Sequence, residues 1–191
     1  MVSARQHRTF TLEEYLDVER KASTKSEFVD GAVYAMTGGS LNHAYLGGRA
    51  VVALSAALRG KPCRVFNSEL QVFIPEKNIA TYPDVTVVCG APQFWKKRDD
   101  LVINPSVVVE VLSPSTEAYD RGEKATAYRT LPSLRDYVLI SQERPVVEVF
   151  SRNQDVWEHK VFEGLGALAV LGSVEQPLPL KDLYEGVAWE T

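Results

Sequence analysis

The amino-acid sequence predicts one α/β (α+β) domain in which helices flank a mixed central sheet. Three observations favour this fold class. The 191 residues suffice for a single compact core. Runs with strand and helix periodicity follow one another in the order α-β-β-α-β-β-β-α-β-β-β. No internal repeat, low-complexity segment or linker divides the sequence, so residues 1–191 are expected to form one domain.

The first half of the chain contains two predicted helices with a hairpin between them. Thr11, which two glutamates follow closely, is typical of a capped helix start, and residues 1–9 before the helix are interpreted as a loose tail. Asp30-Gly31 is a strong turn signal between two short β-like runs. Ser40 is the expected N-cap of a long helix over residues 41–58.

The second half is dominated by strands, with one further helix. Residues 106–112 form a continuous β-branched run, which is typical of a central strand covered on both faces. A helix with Ser115 or Thr116 as its N-cap is predicted to run to Leu131. The tail from Leu165 is predicted to pack over the core without regular secondary structure. The other strand-like segments are 63–74 (a strand pair or one bent strand), 82–89, 135–140, 146–150 and 156–162.

Composition and charge are those of an ordinary globular protein. Hydrophobic residues make up 45% and charged residues 24%, which indicates neither a membrane protein nor a disordered chain. The formal net charge of −4 provides no general attraction to nucleic acid, so any such binding requires a local basic patch. No apolar run approaches the ~20 residues of a membrane span, and the N-terminus lacks the apolar region of a signal peptide. A cytoplasmic location is therefore expected.

The two cysteines, Cys63 and Cys89, lie far apart in sequence and lack CxxC spacing. Each lies in an apolar, strand-like context, so both are expected to be buried free thiols, which suits a reducing compartment. A zinc site is disfavoured, because the three histidines show no ligand spacing.

Two acidic residues lie within apolar, strand-like runs. Asp84 follows a proline and opens one strand, and Glu110 lies in the middle of another. A carboxylate buried in a strand requires a cation, a metal or a proton, because it loses its hydration. If the two strands are neighbours, one register brings both carboxylates to the same edge. The alternative is that each acid lies near a strand end and reaches solvent or pairs with an arginine.

Lys124 shares helical spacing with Tyr128 and Leu131, which places it on the inward stripe of its helix. A lysine beside two carboxylates would neutralise their charge and could stabilise a phosphoryl group. The alternative is a plain Asp120–Lys124 helix pair, worth a few tenths of a kcal/mol. Spacing alone predicts that Glu27 is a surface residue and that His43 is a capping or core residue.

Several motifs together resemble the Uma-two family, which belongs to the restriction-endonuclease-like PD-(D/E)XK superfamily. The resemblance covers roughly residues 10–185, and its most specific segment is Glu-Val-Leu-Ser-Pro-Ser-Thr. The motifs are Tyr82-Pro83-Asp84, Val109 to Thr116, Asp120-Arg121 with Lys124, Tyr128, Tyr137-Val138-Leu139, and the series Glu27, Asp30-Gly31, Met36 and His43.

The resemblance implies a restriction-endonuclease-like core with a metal site at one sheet edge. It implies that Asp84 and Glu110 bind the metal and that the Val111 carbonyl is a further ligand. Glu27 would complete the site, and His43 would line it. The superfamily pattern places a lysine two residues after the second acid, where this chain has Leu112. The resemblance implies that Lys124, from the following helix, takes that role.

The function expected from these residues is Mg²⁺- or Mn²⁺-dependent hydrolysis of phosphodiester bonds in nucleic acid, with DNA as the expected substrate. One alternative is a catalytically silent nuclease fold that binds nucleic acid or a protein partner, which the acidic balance favours. Another is a carboxylate-pair hydrolase acting on sugars, but that chemistry requires carboxylates at a cleft rather than in a buried strand beside a lysine.

Partners are expected to be nucleic acid and a second copy of the chain, with no membrane. The homodimer is an analogy with other proteins of this fold, and the C-terminal strand with the tail over 165–180 offers a surface for it. The candidate phosphate contacts are Arg121, Arg129 and the cluster Trp95-Lys96-Lys97-Arg98, whose aromatic ring could stack on a base. The alternative for each is an ordinary solvated charged face.

Overall fold

The computed structural model describes residues 9–189. Within them, the strands form a six-stranded sheet, a five-stranded sheet and a two-stranded hairpin. The strands, numbered along the chain, are β1 Ser26–Val29, β2 Ala32–Ala35, β3 Cys63–Asn67, β4 Gln71–Ile74, β5 Ile79–Thr81, β6 Val85–Cys89, β7 Leu101–Val102, β8 Val107–Leu112, β9 Asp136–Ser141, β10 Val146–Asn153, β11 Val156–Glu163, β12 Leu168–Ala169 and β13 Leu178–Pro179.

The α-helices of the same residues are α1 Leu12–Glu19, α2 Leu41–Ala57, α3 Glu117–Tyr119, α4 Ala125–Arg129 and α5 Leu180–Leu183. α1 begins after the predicted cap, since the Thr11 hydroxyl accepts a hydrogen bond from the Glu14 N–H and the Glu14 carboxylate accepts one from the Thr11 N–H. α2 begins after Ser40, as predicted. The helix predicted up to Leu131 is divided into α3, a π-helical turn over Asp120–Lys124, and α4.

The six-stranded sheet has the order β11-β10-β9-β8-β6-β3. β8 and β9 are parallel while the other neighbours are antiparallel, so the sheet is mixed, as predicted. All residues of β8 are buried, which confirms the prediction of a central strand covered on both faces. The segment from α3 to α4 is the crossover connection that parallel pairing of β8 and β9 requires.

The five-stranded sheet has the order β2-β1-β5-β4-β7 and forms a second layer that the sequence pattern does not predict. The strand pair predicted over residues 63–74 exists as β3 and β4, but the two strands lie in different sheets. β5 and β7 contain three and two residues, which is too short for a periodicity to be recognised.

Apolar clusters join the layers. On one face of the six-stranded sheet, α2 and the C-terminal segment pack on Val107, Val109 and Val111. On the other face, Val108 and Leu112 pack with α4 and with β4 and β5 of the smaller sheet. α1 packs on the remaining face of the smaller sheet. The division of the β8 residues between two clusters follows the period of two that a strand imposes.

The C-terminal segment packs on the core, as predicted, but part of it is regular. It contains the β12–β13 hairpin and α5, and its buried residues include Leu171, Val174 and Leu178. Residues 1–8, which make up most of the predicted N-terminal tail, lie outside the described residues. No helix within residues 9–189 is long and apolar enough to cross a bilayer.

The prediction that Cys63 and Cys89 are free thiols is wrong, because they form a disulfide. Antiparallel pairing of β3 with β6 places the two residues directly opposite each other, with their Cα atoms 4.0 Å apart. Their sequence separation does not reveal this, because the strand register alone brings them together. The inference of a reducing compartment from free thiols therefore loses its basis.

Candidate active site

Asp84 and Glu110 lie side by side at one edge of the six-stranded sheet. The antiparallel register pairs Val85 with Val109, so Asp84, one residue before β6, lies opposite Glu110. The Val111 N–H donates a hydrogen bond of 2.7 Å to Asp84 Oδ2. The predicted adjacency of the two acids is therefore confirmed.

Lys124 reaches the same point from the π-helical turn. Its Nζ lies 3.0 Å from Glu110 Oε1 and 3.6 Å from Asp120 Oδ1. The Lys124 side chain is only 7% exposed, and that of Glu110 is 5% exposed. A plain surface helix pair does not describe this lysine, because its nearest acid comes from β8 rather than from its own helix. The inward direction predicted for Lys124 is confirmed.

Glu27 enters the site from β1 of the smaller sheet. Its Oε1 lies 3.3 Å from Lys124 Nζ and accepts a hydrogen bond from the Thr81 hydroxyl. The Glu27 side chain is 14% exposed, so the surface position predicted from spacing alone is wrong. The resemblance placed this residue at the site, and the packing of the two sheets explains how it arrives there.

His43 lies in the first turn of α2 with its ring directed at the acids. Its Nε2 lies 3.4 Å from Asp84 Oδ2, while its backbone N–H donates to the Ser40 hydroxyl. Gly39 packs directly on the ring, because a Cβ built there would lie 2.7 Å from His43 Nδ1. The backbone at Gly39 therefore holds the imidazole in place.

Sequence reasoning missed three further members of this cluster. The Tyr128 hydroxyl donates a hydrogen bond of 3.0 Å to Glu110 Oε1. Asp120 is buried beside Lys124, although it was interpreted only as a helix partner. Thr81 holds Glu27 from β5. The helical spacing of Tyr128 with Lys124 was a usable signal, whereas Thr81 gave none, because its strand is too short to recognise.

The site carries more negative than positive charge, since four carboxylates share one ammonium group. Burial raises the pKa of Glu110 to about 8, against the opposing attraction of Lys124. Burial also raises the pKa of Asp84, against the opposing effects of His43 and of the Val111 N–H. Burial by itself lowers the pKa of Lys124, but attraction to Glu110 and the other acids outweighs it, so this pKa lies well above its ordinary value.

The donor set fits a hard divalent cation. Asp84 is contacted at Oδ2 and Glu110 at Oε1, so Oδ1 and Oε2 accept no hydrogen bond from any residue in 9–189. Within the same residues no group of three His, Cys, Asp or Glu side chains is arranged to hold a metal. A metal site would therefore consist of two carboxylates, with the Val111 carbonyl and water completing the shell. Mg²⁺ is commonly bound by one or two carboxylates and keeps several waters.

The acids and the lysine lie in a cavity of about 660 Å³. Besides these groups, its lining includes the end of β2 with the loop of residues 37–40, and residues 113–116 with Tyr119. Among the described residues that line it, Lys124 is the only lysine or arginine.

The candidate phosphate contacts outside the cavity are engaged within the protein, apart from Lys97, whose side chain lies outside what the structure describes. Lys96 pairs with Glu13, Arg98 pairs with Asp100, and Trp95 packs on Phe73. Arg121 bridges Glu117 and Glu148, while Arg129 lies over the rings of Phe150 and Trp157. Phosphate binding by these groups would require the internal contacts to open.

The sequence matches the Uma2 family, described as "Putative restriction endonuclease", over residues 12–179. The chain is similar to two proteins of Synechocystis sp. The first, "Uncharacterized protein slr1290", is 41% identical over 143 residues, which is 75% of this chain and 74% of that protein. The second, "Uncharacterized protein sll1609", is 36% identical over 132 residues, 69% of this chain and 75% of that protein.

The fold is similar to the crystal structure of "a putative nuclease belonging to DUF820" from Anabaena variabilis, with a TM-score of 0.75. The similarity covers 94% of this chain and 99% of that one, at 21% identity. At that identity the comparison concerns the fold, and it agrees with the restriction-endonuclease-like architecture expected from the sequence.

Proposed function

Because the chain belongs to the Uma2 family of nuclease-like proteins, we propose that it is a metal-dependent endonuclease that hydrolyses phosphodiester bonds of DNA. The observation that carries this proposal is the contact of Lys124 Nζ with Glu110 Oε1 beside Asp84. Glu110 on β8, Asp84 immediately before β6 and a lysine from a separate helical segment thereby converge in one cavity.

We assign the metal to Asp84 and Glu110, with the Val111 carbonyl as a further ligand and Mg²⁺ or Mn²⁺ as the ion. When bound, such an ion polarises the scissile phosphate and lowers the pKa of a coordinated water. The raised pKa values of both acids agree with this assignment, because a cation would supply the positive charge that the cluster lacks.

We assign charge stabilisation to Lys124. Its ammonium remains protonated beside Glu110, so it stabilises the negative charge that develops on the phosphate and orients a water molecule by donating hydrogen bonds. Glu27 and Asp120 fix the position of Nζ from two further sides. His43 contacts Asp84 at Oδ2, which directs Oδ1 towards the metal.

A catalytically silent module that binds nucleic acid or a protein partner is the second candidate function. The internal pairing of Lys96, Arg98 and Arg121 favours the form that binds a protein partner, because these groups are then less available to phosphates. The two candidates differ in their need for metal, since a silent module does not require Mg²⁺ affinity at millimolar concentrations. The sugar hydrolase is disfavoured by the lysine that holds Glu110.

The experiment is titration calorimetry of Mn²⁺ and Mg²⁺ into the wild type and the Asp84→Ala/Glu110→Ala variant, with plasmid cleavage measured on the same samples. We expect binding and cleavage to disappear together in this variant. Asp155→Ala/Glu76→Ala removes two exposed acids outside the cavity and is the matched control. Absence of wild-type metal binding at millimolar concentrations would favour the silent module.

We also propose that the protein acts as a homodimer, through α2 rather than through the tail. The tail keeps Leu165, Leu168 and Val170 partly exposed, but its other large apolar residues are buried in the core of the same chain. The outward residues of α2 carry no charge, and Leu41 is 84% exposed. The exposed α2 face consists of Leu41, Ala44, Tyr45, Gly48, Val52, Ser55 and Ala56.

A second copy fits this α2 face because the face is self-complementary about Gly48. In an antiparallel twofold pair centred on Gly48, Leu41 of one copy meets Ser55 of the partner subunit, and Val52 meets Ala44 of the partner subunit, so large residues face small ones. We expect a dimer mass by light scattering and a monomer mass for Leu41→Glu/Val52→Glu. Val156→Glu, at an exposed site on β11, is the control. A monomeric wild type would overturn the proposal.

A further inference from the structure

An exposed tyrosine stands beside the buried acids. Tyr34 lies in β2 directly opposite Glu27 of β1, and opposite residues of an antiparallel pair project from the same face. Its side chain therefore borders the carboxylate that contacts Lys124, and it lines the cavity. Tyr34 is 59% exposed, and its ring stacks on no other ring within residues 9–189.

The cavity lining contains a second tyrosine, whose polar group is unused. The Tyr119 hydroxyl is buried, yet it has no hydrogen-bond partner within residues 9–189. Its residue lines the same cavity, and Lys124 Nζ lies 5.9 Å from the centre of its ring. A buried hydroxyl without a partner is costly, so it indicates a polar ligand group or a water molecule at this part of the lining.

The charges of the cavity do not suit an intact duplex. Duplex binding depends on Lys and Arg contacts to several phosphates, whereas Lys124 is the lone member of that class among the described lining residues, and three carboxylates already surround it. Stacking of a base on an aromatic ring needs no cation, and it accepts any base because every base has a π-face.

The depth of the acids points in the same direction. Lys124 and Glu110 are almost fully buried, so a scissile phosphate has to enter the cavity to reach them. An unpaired strand can bring one phosphate and its base into the cavity together, whereas in a duplex the base stays stacked and paired. Extracting that nucleotide from a duplex costs free energy, so a strand that is already unpaired enters at lower cost.

We propose that the cavity accepts an unpaired nucleotide of single-stranded DNA, whose base stacks on Tyr34 while its phosphate faces Asp84 and Glu110. This inference rests on the proposed nuclease function and narrows its substrate to DNA with an unpaired segment. Tyr34 is thus a substrate-binding residue at the mouth of the cavity. Tyr119, whose ring lies near Lys124, is a further lining residue, and its partnerless hydroxyl can donate only if the bound nucleotide displaces the groups that bury it.

The test measures anisotropy of a fluorescein-labelled 20-nucleotide DNA, single-stranded and as a blunt duplex, in Ca²⁺, a cation with oxygen ligands that offsets the negative charge of the acids. We expect the wild type to bind the single strand at least about tenfold more tightly than the duplex. Tyr34→Ala should weaken single-strand binding about tenfold, in the range of stacking losses per base, and leave duplex binding unchanged. Tyr34→Phe should bind like the wild type, because the ring is retained.

Val33→Ala is the matched control, since Val33 is the neighbouring β2 residue, is partly exposed and does not line the cavity. A 2-aminopurine placed in the single strand gives a direct signal of stacking. Its fluorescence should be quenched by the wild type and by Tyr34→Phe, and not by Tyr34→Ala. Equal affinity for the two DNA forms, or unaltered single-strand binding by Tyr34→Ala, would overturn the inference, as would preferential binding of the same sequence as RNA.

Cleavage of the two DNA forms in Mg²⁺ separates this inference from the nuclease proposal. Cleavage of the duplex but not of the single strand would retain the nuclease and reject the single-strand substrate. Tyr34-dependent binding of the single strand without any cleavage would retain the binding site and reject the nuclease.

Discussion

Two buried carboxylates lie on neighbouring strands of the six-stranded sheet, and their surroundings differ. Asp136, at the start of β9, accepts four hydrogen bonds. Its Oδ1 accepts from the Gly172 N–H and the Ser151 hydroxyl, and its Oδ2 accepts from the N–H and hydroxyl of Ser173. Glu110, on β8, is contacted at Oε1 only, by the Tyr128 hydroxyl and by Lys124.

The comparison shows that burial of an acid does not by itself indicate chemistry. A carboxylate has about four acceptor sites, and fixed neutral donors fill all of them at Asp136. That group therefore anchors the loop before β13 to the sheet. Glu110 keeps one oxygen directed into a cavity whose other acids repel it, so a cation has both a position and an electrostatic reason to bind there.

The largest effect should follow from removing Asp136, the carboxylate whose acceptor sites are all filled. Asp136→Ala leaves two backbone N–H groups and two hydroxyls without their acceptor, so we expect a loss of about 3–5 kcal/mol in the free energy of unfolding. Urea denaturation measures it, with Asp136→Asn expected to lose less. Asp136→Ala as stable as the wild type would contradict the anchoring role.

Removal of Lys124 should destabilise the protein somewhat less than Asp136→Ala does, because the acids around Lys124 can take up protons. Lys124→Met is expected to cost about 3 kcal/mol and to lower cleavage at least about 100-fold. The cost should be greater at pH 9 than at pH 5, since the acids are ionised at the higher pH. Lys160→Met removes an exposed lysine and should change stability by less than about 0.5 kcal/mol.

Neutralising Glu110 should reduce a loss of stability, whereas the two preceding substitutions cause one. Its pKa is raised from 4.5 to about 8, so the folded protein holds a proton that the unfolded chain has released across this pH window. Stability without metal should therefore fall as the pH rises from about 5 to 8, and Glu110→Gln should reduce that fall by at least about 1 kcal/mol. Urea denaturation at pH 5, 7 and 9 in EDTA measures it. A steeper fall in the variant would contradict this account.

The smallest effect concerns the support of His43. In Gly39→Ala the new methyl group meets the imidazole, so we expect a displaced ring, a severalfold weaker Mn²⁺ affinity and a stability change below about 1 kcal/mol. Gly38→Ala is the control, because a Cβ at Gly38 meets no atom within 4 Å. Calorimetry of both variants gives the comparison, and equal affinities would remove His43 from the support of Asp84.

The central part of the site was predictable from the sequence, because charged residues within apolar patterns are expected to be buried and to need a charged partner. Asp84 and Glu110 interrupt apolar runs, and Lys124 shares its spacing with an aromatic residue, so each carries a local signal. Glu27 and His43 carry none, since their positions depend on how the smaller sheet and α2 dock, and the family resemblance supplied them. Tyr34 was missed for the same reason.

The fold was predictable where elements are long and patterned, as in α1, α2 and β8. It was not predictable where pairing is non-local. The Cys63–Cys89 bond arises from strand register, and the second sheet depends on strands of two and three residues. The π-helical turn was also missed, because one extra residue within a helix leaves no clear trace in the apolar spacing.

The crossover between β8 and β9 also bears on the order in which the site forms during folding. Glu110 and Lys124 belong to one continuous strand–helix–strand unit, so their contact closes a short loop. Glu27 arrives from the other sheet, and His43 from a helix on the opposite face. We therefore expect the acid–lysine contact to form before the site is complete, because completing the site also requires the smaller sheet and α2 to dock.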